Sequence, residues 1–232
     1  MKPAWTESFW RLIYPPRCLL CRSLLPPAFF EPLCSTCLVS FSPAGALCPR
    51  CEQPLFPASC HCSELPPLQG LYALSWYRGD WRRMLHRLKY EGRRSLARPL
   101  GTWLGLALKR ETDWPLTAVT ALPLHRLREA RRGYNQSLLI ARYTARAMGL
   151  PLVTLLKKTR STPSQAGLSR LERIVNVAGV YAPSGRHFKP GPVLLIDDIY
   201  STGATLKEAA RVLNKQGFSV YAAVIAYNPR LF

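Results

Sequence analysis

Acidic residues are scarce in this chain: 13 Asp and Glu stand against 32 Lys and Arg, a formal net charge of +19 over 232 residues. The deficit is local, because residues 71–176 hold 21 of the bases and only six acids. A partner or substrate of like positive charge is therefore disfavoured, and polyanions are favoured: nucleic acid, a phosphorylated substrate or an anionic membrane face. A merely solvated basic face is the plainer alternative. Also missing is any apolar run of about 18 residues, so no transmembrane segment is expected. The opening residues, MKPAWTESFWRLIYPPRC, have no uninterrupted apolar core of a secretion signal, since Glu7, Arg11 and the Pro15-Pro16 pair break it. They read as a short amphipathic helix ending before Pro15. The expectation is a cytoplasmic protein with reduced cysteines. Neither G-x-x-x-x-G-K-[ST] nor G-x-G-x-x-G occurs, which removes the P-loop and the dinucleotide-binding turn.

What is present divides in two. Residues 1–68 carry all eight cysteines and 12 of the 21 prolines, and long periodic runs are few. From residue 69 to 232 strand-like and helix-like pieces alternate: LYALSWY, a helix around DWRRMLHRLKY, another in SLARPLGTWLGLALKR, then AVTALPL. A further helix follows Gly133, with Leu138, Ala141, Ala145 and Met148 on one face of a 3.6-residue period. LVTLL reads as a strand, Lys157 to Arg173 as a polar stretch, VLLID as a strand, then a helix closed by Gly217 and a last strand, SVYAAVIAY. Strands alternating with helices predict an α/β fold, a mostly parallel twisted sheet with helices on both faces. Ligands of such sheets collect beyond the carboxyl ends of the strands.

The cysteines fall in pairs: Cys18-x2-Cys21, Cys34-x2-Cys37, Cys48-x2-Cys51 and Cys60-x-Cys62. Two sulfurs separated by two residues reach one tetrahedral ion, and two such pairs across a short loop complete four thiolate ligands. Four pairs imply two structural zinc sites, on which a segment so poor in apolar runs would depend to fold. Redox-active cysteines and an iron-sulfur cluster are the alternatives, and His61 competes as a ligand within the last pair.

In VLLIDDIYSTGATLKE the aliphatic run Val193 to Ile196 reads as a buried strand, with Asp197 and Asp198 emerging at its carboxyl end. Ser201, Thr202, Gly203, Ala204 and Thr205 then make a small-residue turn, and Thr205 with Glu208 reads as a capping box. The amides of that turn and the helix N-terminus suit a phosphate. Carboxylates suit sugar hydroxyls, so a ribose phosphate meets both.

Val193 to Thr205 resembles, without a gap, the phosphoribosyl pyrophosphate (PRPP) signature of type I phosphoribosyltransferases. The wider order of motifs narrows the resemblance: cysteine pairs in front, LKYEGRR near residue 90, LPLHRLREARRGYNQS from 122, TRSTPSQAGLSRLERIVNVAGVY from 159, and the PRPP motif last. Together they resemble the ComF family of competence-associated proteins, also called GntX-like DNA-utilisation proteins, over nearly the whole chain. That resemblance implies a double zinc ribbon in residues 1–68 and a phosphoribosyltransferase-like domain in 69–232. It implies Asp197 and Asp198 on the ribose hydroxyls, Ser201 to Thr205 around the 5-phosphate, and PRPP carried with magnesium. His125, Arg126, Arg128 and Arg132 would lie where such enzymes hold pyrophosphate; Arg131 is as readily a solvated helix charge. Asn135 caps a helix or binds. Lys157, Arg160, Thr162, Gln165 and Arg173 occupy the place of a mobile loop that closes over the site, or of a plain surface loop. Ser201, Tyr134 and the shortened Cys60-x-Cys62 depart from the family pattern.

Three functions compete at this stage. One is a phosphoribosyl transfer enzyme. Another is a binding module for single-stranded DNA, with Trp76, Tyr77, Trp81, Tyr90 and Trp103 as possible stacking surfaces, although most of these aromatics suit a core. The third is an adaptor that docks competence-machinery proteins through its zinc ribbons. No feature selects an acceptor base.

Overall fold

The computed structural model describes residues 15, 17–26, 33–39, 41, 43–51, 53, 55, 62, 67–162 and 175–228. The expected helix before Pro15, Cys60, His61, and Gln165 and Arg173 of the polar stretch lie outside the described residues. In chain order the elements are α1 (Ser35–Val39), β1 (Gly45–Leu47), β2 (Gly70–Trp76), α2 (Gly79–Tyr90), α3 (Ala97–Glu111), β3 (Ala118–Ala121), α4 (Arg126–Arg132), α5 (Gln136–Met148), β4 (Leu156–Lys158), β5 (Tyr181–Pro183), β6 (Pro192–Tyr200), α6 (Ala204–Asn214) and β7 (Ser219–Tyr227).

The main sheet runs β1-β2-β7-β6-β3, parallel throughout except for β1, which pairs antiparallel with β2 at one edge. Strands buried on both faces should read as continuous apolar runs, and β6 and β7 do so. Successive side chains alternate between the two faces. Leu194, Ile196, Ala223 and Ile225 join one buried cluster with α2, α3 and α5. Val193, Leu195, Val220, Ala222 and Val224 join the other, under α6 and the β4–β5 pair.

On the first face α3 and α5 approach unusually closely. A Cβ at Gly101 would stand 2.4 Å from the Ile140 carbonyl, and one at Gly105 2.8 Å from that of Thr144. The Thr144 hydroxyl donates to the Gly101 carbonyl at 3.0 Å. Glycines one helical turn apart thus let two backbones touch, and this seats the start of α5 against the end of β6.

The LVTLL stretch departs from expectation. Leu152 makes only an isolated bridge to Val119, and regular pairing begins at Leu156, opposite Pro183 in the separate β4–β5 pair. Leu155 and Leu156 are consecutive and both buried in the second cluster, which a strand with one covered face does not allow.

The cysteine-bearing segment is attached to both faces. Cys18, Leu25 and Leu33 belong to the first cluster, together with Trp81 and Trp103. Ala44 and Leu47, at β1, belong to the second. No helix among the described residues is long and apolar enough to cross a membrane.

Candidate functional site

The strand β6 outlasts its neighbour. Pairing with β3 ends at Ile196, whose carbonyl accepts the Leu122 amide at 3.0 Å. Beyond it no described strand pairs with that flank of β6, while pairing with β7 continues to Tyr200. The register passes over Asp198 and resumes at Ile199 opposite Ala226. The facing order slips at the same place, since Ile199 packs on the first cluster and Tyr200 belongs to the second. Asp197 and Asp198 therefore sit inside the strand at its irregular point, 8% and 3% exposed, rather than emerging beyond it.

Each aspartate has its own support. Asp197 Oδ1 accepts the Ser137 hydroxyl at 2.7 Å and the Asp198 amide at 2.8 Å. Ser137 is at the start of α5, where Asn135 caps the helix: its side-chain oxygen accepts the Ser137 and Leu138 amides, and its amide nitrogen donates to the Leu122 carbonyl. Asn135 is 5% exposed and is a cap. Asp198 faces Lys89 of α2, whose Nζ lies 3.0 Å from Oδ2 and 3.4 Å from Oδ1. Burial pushes the Asp197 carboxyl up to about 7, aided by the Asp198 charge and opposed by Lys89 and Ser137. Burial works against the Lys89 charge, but Asp198 and Asp197 outweigh it and hold the ammonium above its ordinary range.

The turn after β6 meets α6 differently from expectation. Gly203 is the N-cap, with φ of +69°, and the helix begins at Ala204. The capping box does not form: Glu208 instead accepts the Gly179 amide at 2.8 Å through Oε1 and faces Arg211 through Oε2. The Thr202 hydroxyl accepts the Ala204 amide at 3.4 Å. A Cβ at Gly203 would stand 2.1 Å from the Tyr200 hydroxyl, so both the dihedral and the space require glycine.

Asp197, Asp198, Ser201, Thr202, Gly203 and Thr205 line one cavity of about 470 Å³. Ala204 is buried and does not line it. The cavity also takes in Tyr77, Arg82, Lys89 and Asn228. From sequence Tyr77 reads as a possible stacking surface, and Arg82, Lys89 and Asn228 carry no assignment, although Lys89 sits in the LKYEGRR motif; only the packing of α2 over the first face points Lys89 at the acids.

The remaining basic residues lie elsewhere. His125 is the N-cap of α4, its Nδ1 accepting the Leu127 amide at 3.4 Å, and Arg126 is exposed. Arg128 donates to the Thr162 carbonyl at 2.9 Å, and Lys158 to the Thr162 hydroxyl at 2.9 Å. Arg160 donates to the Ala178 carbonyl at 2.7 Å. Arg132 turns to Gln136 and Tyr90, while Arg131 and Lys157 are exposed. None of these lines the cavity. Arg128 and Lys158 nonetheless form a second cationic flank: burial, with Arg128 and Arg160, draws Lys158 down to about 8 against the pull of Asp197.

The sulfurs gather in two groups. Those of Cys18, Cys21, Cys34 and Cys37 lie within 4.8 Å of one another, as do those of Cys48, Cys51 and Cys62, and either group could hold a metal ion. Cys21 and Cys34 are 3.6 Å apart at sulfur, close to the edge of about 3.8 Å for a tetrahedron with 2.3 Å bonds. The first turn closes through the Arg22 amide to the Cys18 carbonyl, with Arg22 at φ of +66°.

The sequence profile of the phosphoribosyl transferase domain matches residues 135–231. Competence protein F of Haemophilus influenzae is 30% identical, over 87% of this chain and 92% of that protein. The DNA utilization protein YhgH of Salmonella typhi is 30% identical, over 89% and 94%. Competence protein ComFC of Streptococcus pneumoniae is 28% identical, over 80% and 82%. Among solved structures, adenine phosphoribosyltransferase from Leishmania tarentolae aligns with 71% of this chain and 79% of its own, at 15% identity and a TM-score of 0.40. The order of motifs along the chain and its likeness to competence protein F over almost the full length of both lead to one conclusion: the chain belongs to the ComF family of competence and DNA-utilisation proteins.

Proposed function

We propose that the cavity at the end of β6 binds PRPP or a related ribose phosphate in a cytoplasmic protein of DNA uptake and utilisation. The observation that carries this reading is the meeting of two buried carboxylates, a small-residue turn and the N-terminus of α6 around one space. The turn amides and the helix end take the 5-phosphate. Asp197 and Asp198 accept the ribose hydroxyls, with Ser137 and Lys89 holding them in place. Asp197 and Asp198 would also offer the oxygen ligands that magnesium prefers, should the substrate carry that ion. If transfer occurs, the C1–oxygen bond to diphosphate breaks, a C1–nitrogen bond to the acceptor forms, and the acid pair favours the positive charge developing on the sugar. Arg128, Arg160 and Lys158 supply positive charge on the flank where the diphosphate would leave.

Both cysteine groups hold structural zinc in this reading: four thiolates in the first, and three described cysteines with Cys60 in the second. Docking of competence-machinery proteins would use this module.

Calorimetric titration of magnesium-PRPP into the zinc-loaded protein tests the site. Wild type should bind and the Asp197→Asn/Asp198→Asn protein should not, its fold confirmed by circular dichroism. Absence of binding in wild type would sink the reading. Pyrophosphate release with candidate acceptors then decides whether there is turnover.

A second reading, single-stranded DNA binding, is favoured by the concentration of arginines on α2, α4 and the turn between α2 and α3. It predicts affinity that falls steeply with salt.

A further inference from the structure

Of the five aromatic residues read above as possible stacking surfaces, four are occupied. Trp81 and Trp103 are 8% and 7% exposed and pack with Phe41 and each other. Trp76 packs on Tyr227, and Tyr77 lines the cavity. Tyr90, at the last position of α2, is 63% exposed.

The Tyr90 ring is nevertheless held. The Arg132 guanidinium lies 5.5 Å from its centroid, and the His86 ring 4.8 Å away at a tilt of 44°. Arg132 is fixed in turn by the buried Gln136. Arg94 repeats the arrangement 4.7 Å over Tyr134, and the Tyr134 hydroxyl donates to the Leu88 carbonyl, two residues before Tyr90. Arg93, Arg94 and Arg131 are exposed in these same segments. The adjacent acid, Glu91, is engaged by Arg87 and His86. An aromatic face kept in water, oriented by a cation and followed by exposed arginines on the adjoining segments, matches a ligand that has flat apolar faces joined by negative charges.

We propose that Tyr90 is a stacking platform for an unpaired base of a single-stranded nucleic acid, whose backbone phosphates lie against Arg93, Arg94 and Arg131. A duplex keeps its bases stacked on one another and offers Tyr90 no face, so strandedness is what the platform reads. Lys89, the residue before it, reaches Asp198; platform and cavity therefore share the last turn of α2. The proposal deepens the single-strand reading and does not depend on PRPP binding.

The test is fluorescence anisotropy of the full, metal-loaded chain with labelled oligo(dT) of about 15 nucleotides, against a duplex of equal length, over a salt series. Wild type should prefer the single strand. Tyr90→Ala should weaken it about tenfold with the salt slope unchanged, and Tyr90→Phe should restore it. Arg131→Gln should instead reduce the slope by about 0.7. Equal melting temperatures and equal magnesium-PRPP titrations across these variants separate this result from any failure of the cavity reading. The proposal is overturned if wild type ignores oligo(dT), if Tyr90→Ala binds it as wild type does, if single strand and duplex lose affinity alike, or if anionic vesicles bind where oligo(dT) does not.

Discussion

The described parts of residues 17–62 and residues 192–227 both belong to the main sheet and its two buried clusters, one through a three-residue edge strand and a few side chains, the other through two nine-residue strands. In the second region each local preference agrees with the fold: branched residues in β6 and β7, small residues in the turn, an amphipathic α6 closed by Gly217 at φ of +85°. In the first, the described secondary structure is one five-residue helix and one three-residue strand. Its order rests on thiol clusters and on a few side chains, Cys18, Leu25 and Leu33, lent to the core of the other region. With the proposed zinc in place, such a region would fail when the ion leaves. One built from burial fails by degrees.

The sharpest way to break this comparison is to remove sulfur. Cys18→Ser, or chelation, should cost at least about 3 kcal/mol and disturb the first-face core. The readout is tryptophan fluorescence, because Trp81 and Trp103 share that cluster. Cys51→Ser, at an exposed position of the edge thiol group, should cost less and leave that fluorescence unchanged. Equal losses would mean that the two groups support the fold equally.

A smaller effect separates the acid pair from the sheet that carries it. Burial holds the folded Asp197 carboxyl up at about 7, against about 3.9 for an unfolded aspartate. The folded state thus holds the proton more tightly. The resulting stability is full below about pH 4 and lost as pH rises through about 7, on the order of a few kcal/mol. The groups acting with it are Asp198, Lys89, Ser137, Lys158 and Tyr181. Urea midpoints of wild type should fall between pH 5 and 8, and those of Asp197→Asn should be flatter. Parallel profiles would contradict the assignment.

The mildest perturbation lies within the well-patterned region. Gly203→Ala meets both a positive φ and the Tyr200 hydroxyl, and should cost about 2 kcal/mol by equilibrium unfolding. A neutral result would show that the turn relaxes freely, which a preformed phosphate cradle does not do.

Much of this was legible in the sequence. The alternation of strands and helices, the cysteine groups and the acid pair followed by a small-residue turn all depend on neighbours within a few residues, and local pattern reports them. Asn135 was legible as a cap for the same reason. The capping box was misread because Thr205 and Glu208 have the right spacing, but Glu208 finds the Gly179 amide, 29 residues away, instead. LVTLL pairs only at its two ends, Leu152 with Val119 and Leu156 with Pro183, because buried leucines fit an irregular segment as readily as a strand.

The sequence by itself determined that an α/β sheet would carry two adjacent carboxylates just before a small-residue turn, behind a segment rich in paired cysteines, because period, composition and spacing are local properties. Only the tertiary structure decided which cations meet those carboxylates. Lys89 is 109 residues from Asp198 and Ser137 is 60 from Asp197, whereas the arginines nearest in pattern turn to Thr162, Ala178 and Tyr90. Partner choice in a core is settled by how helices pack across the sheet, here by the close approach at Gly101 and Gly105 and by the position of α2 over the first face.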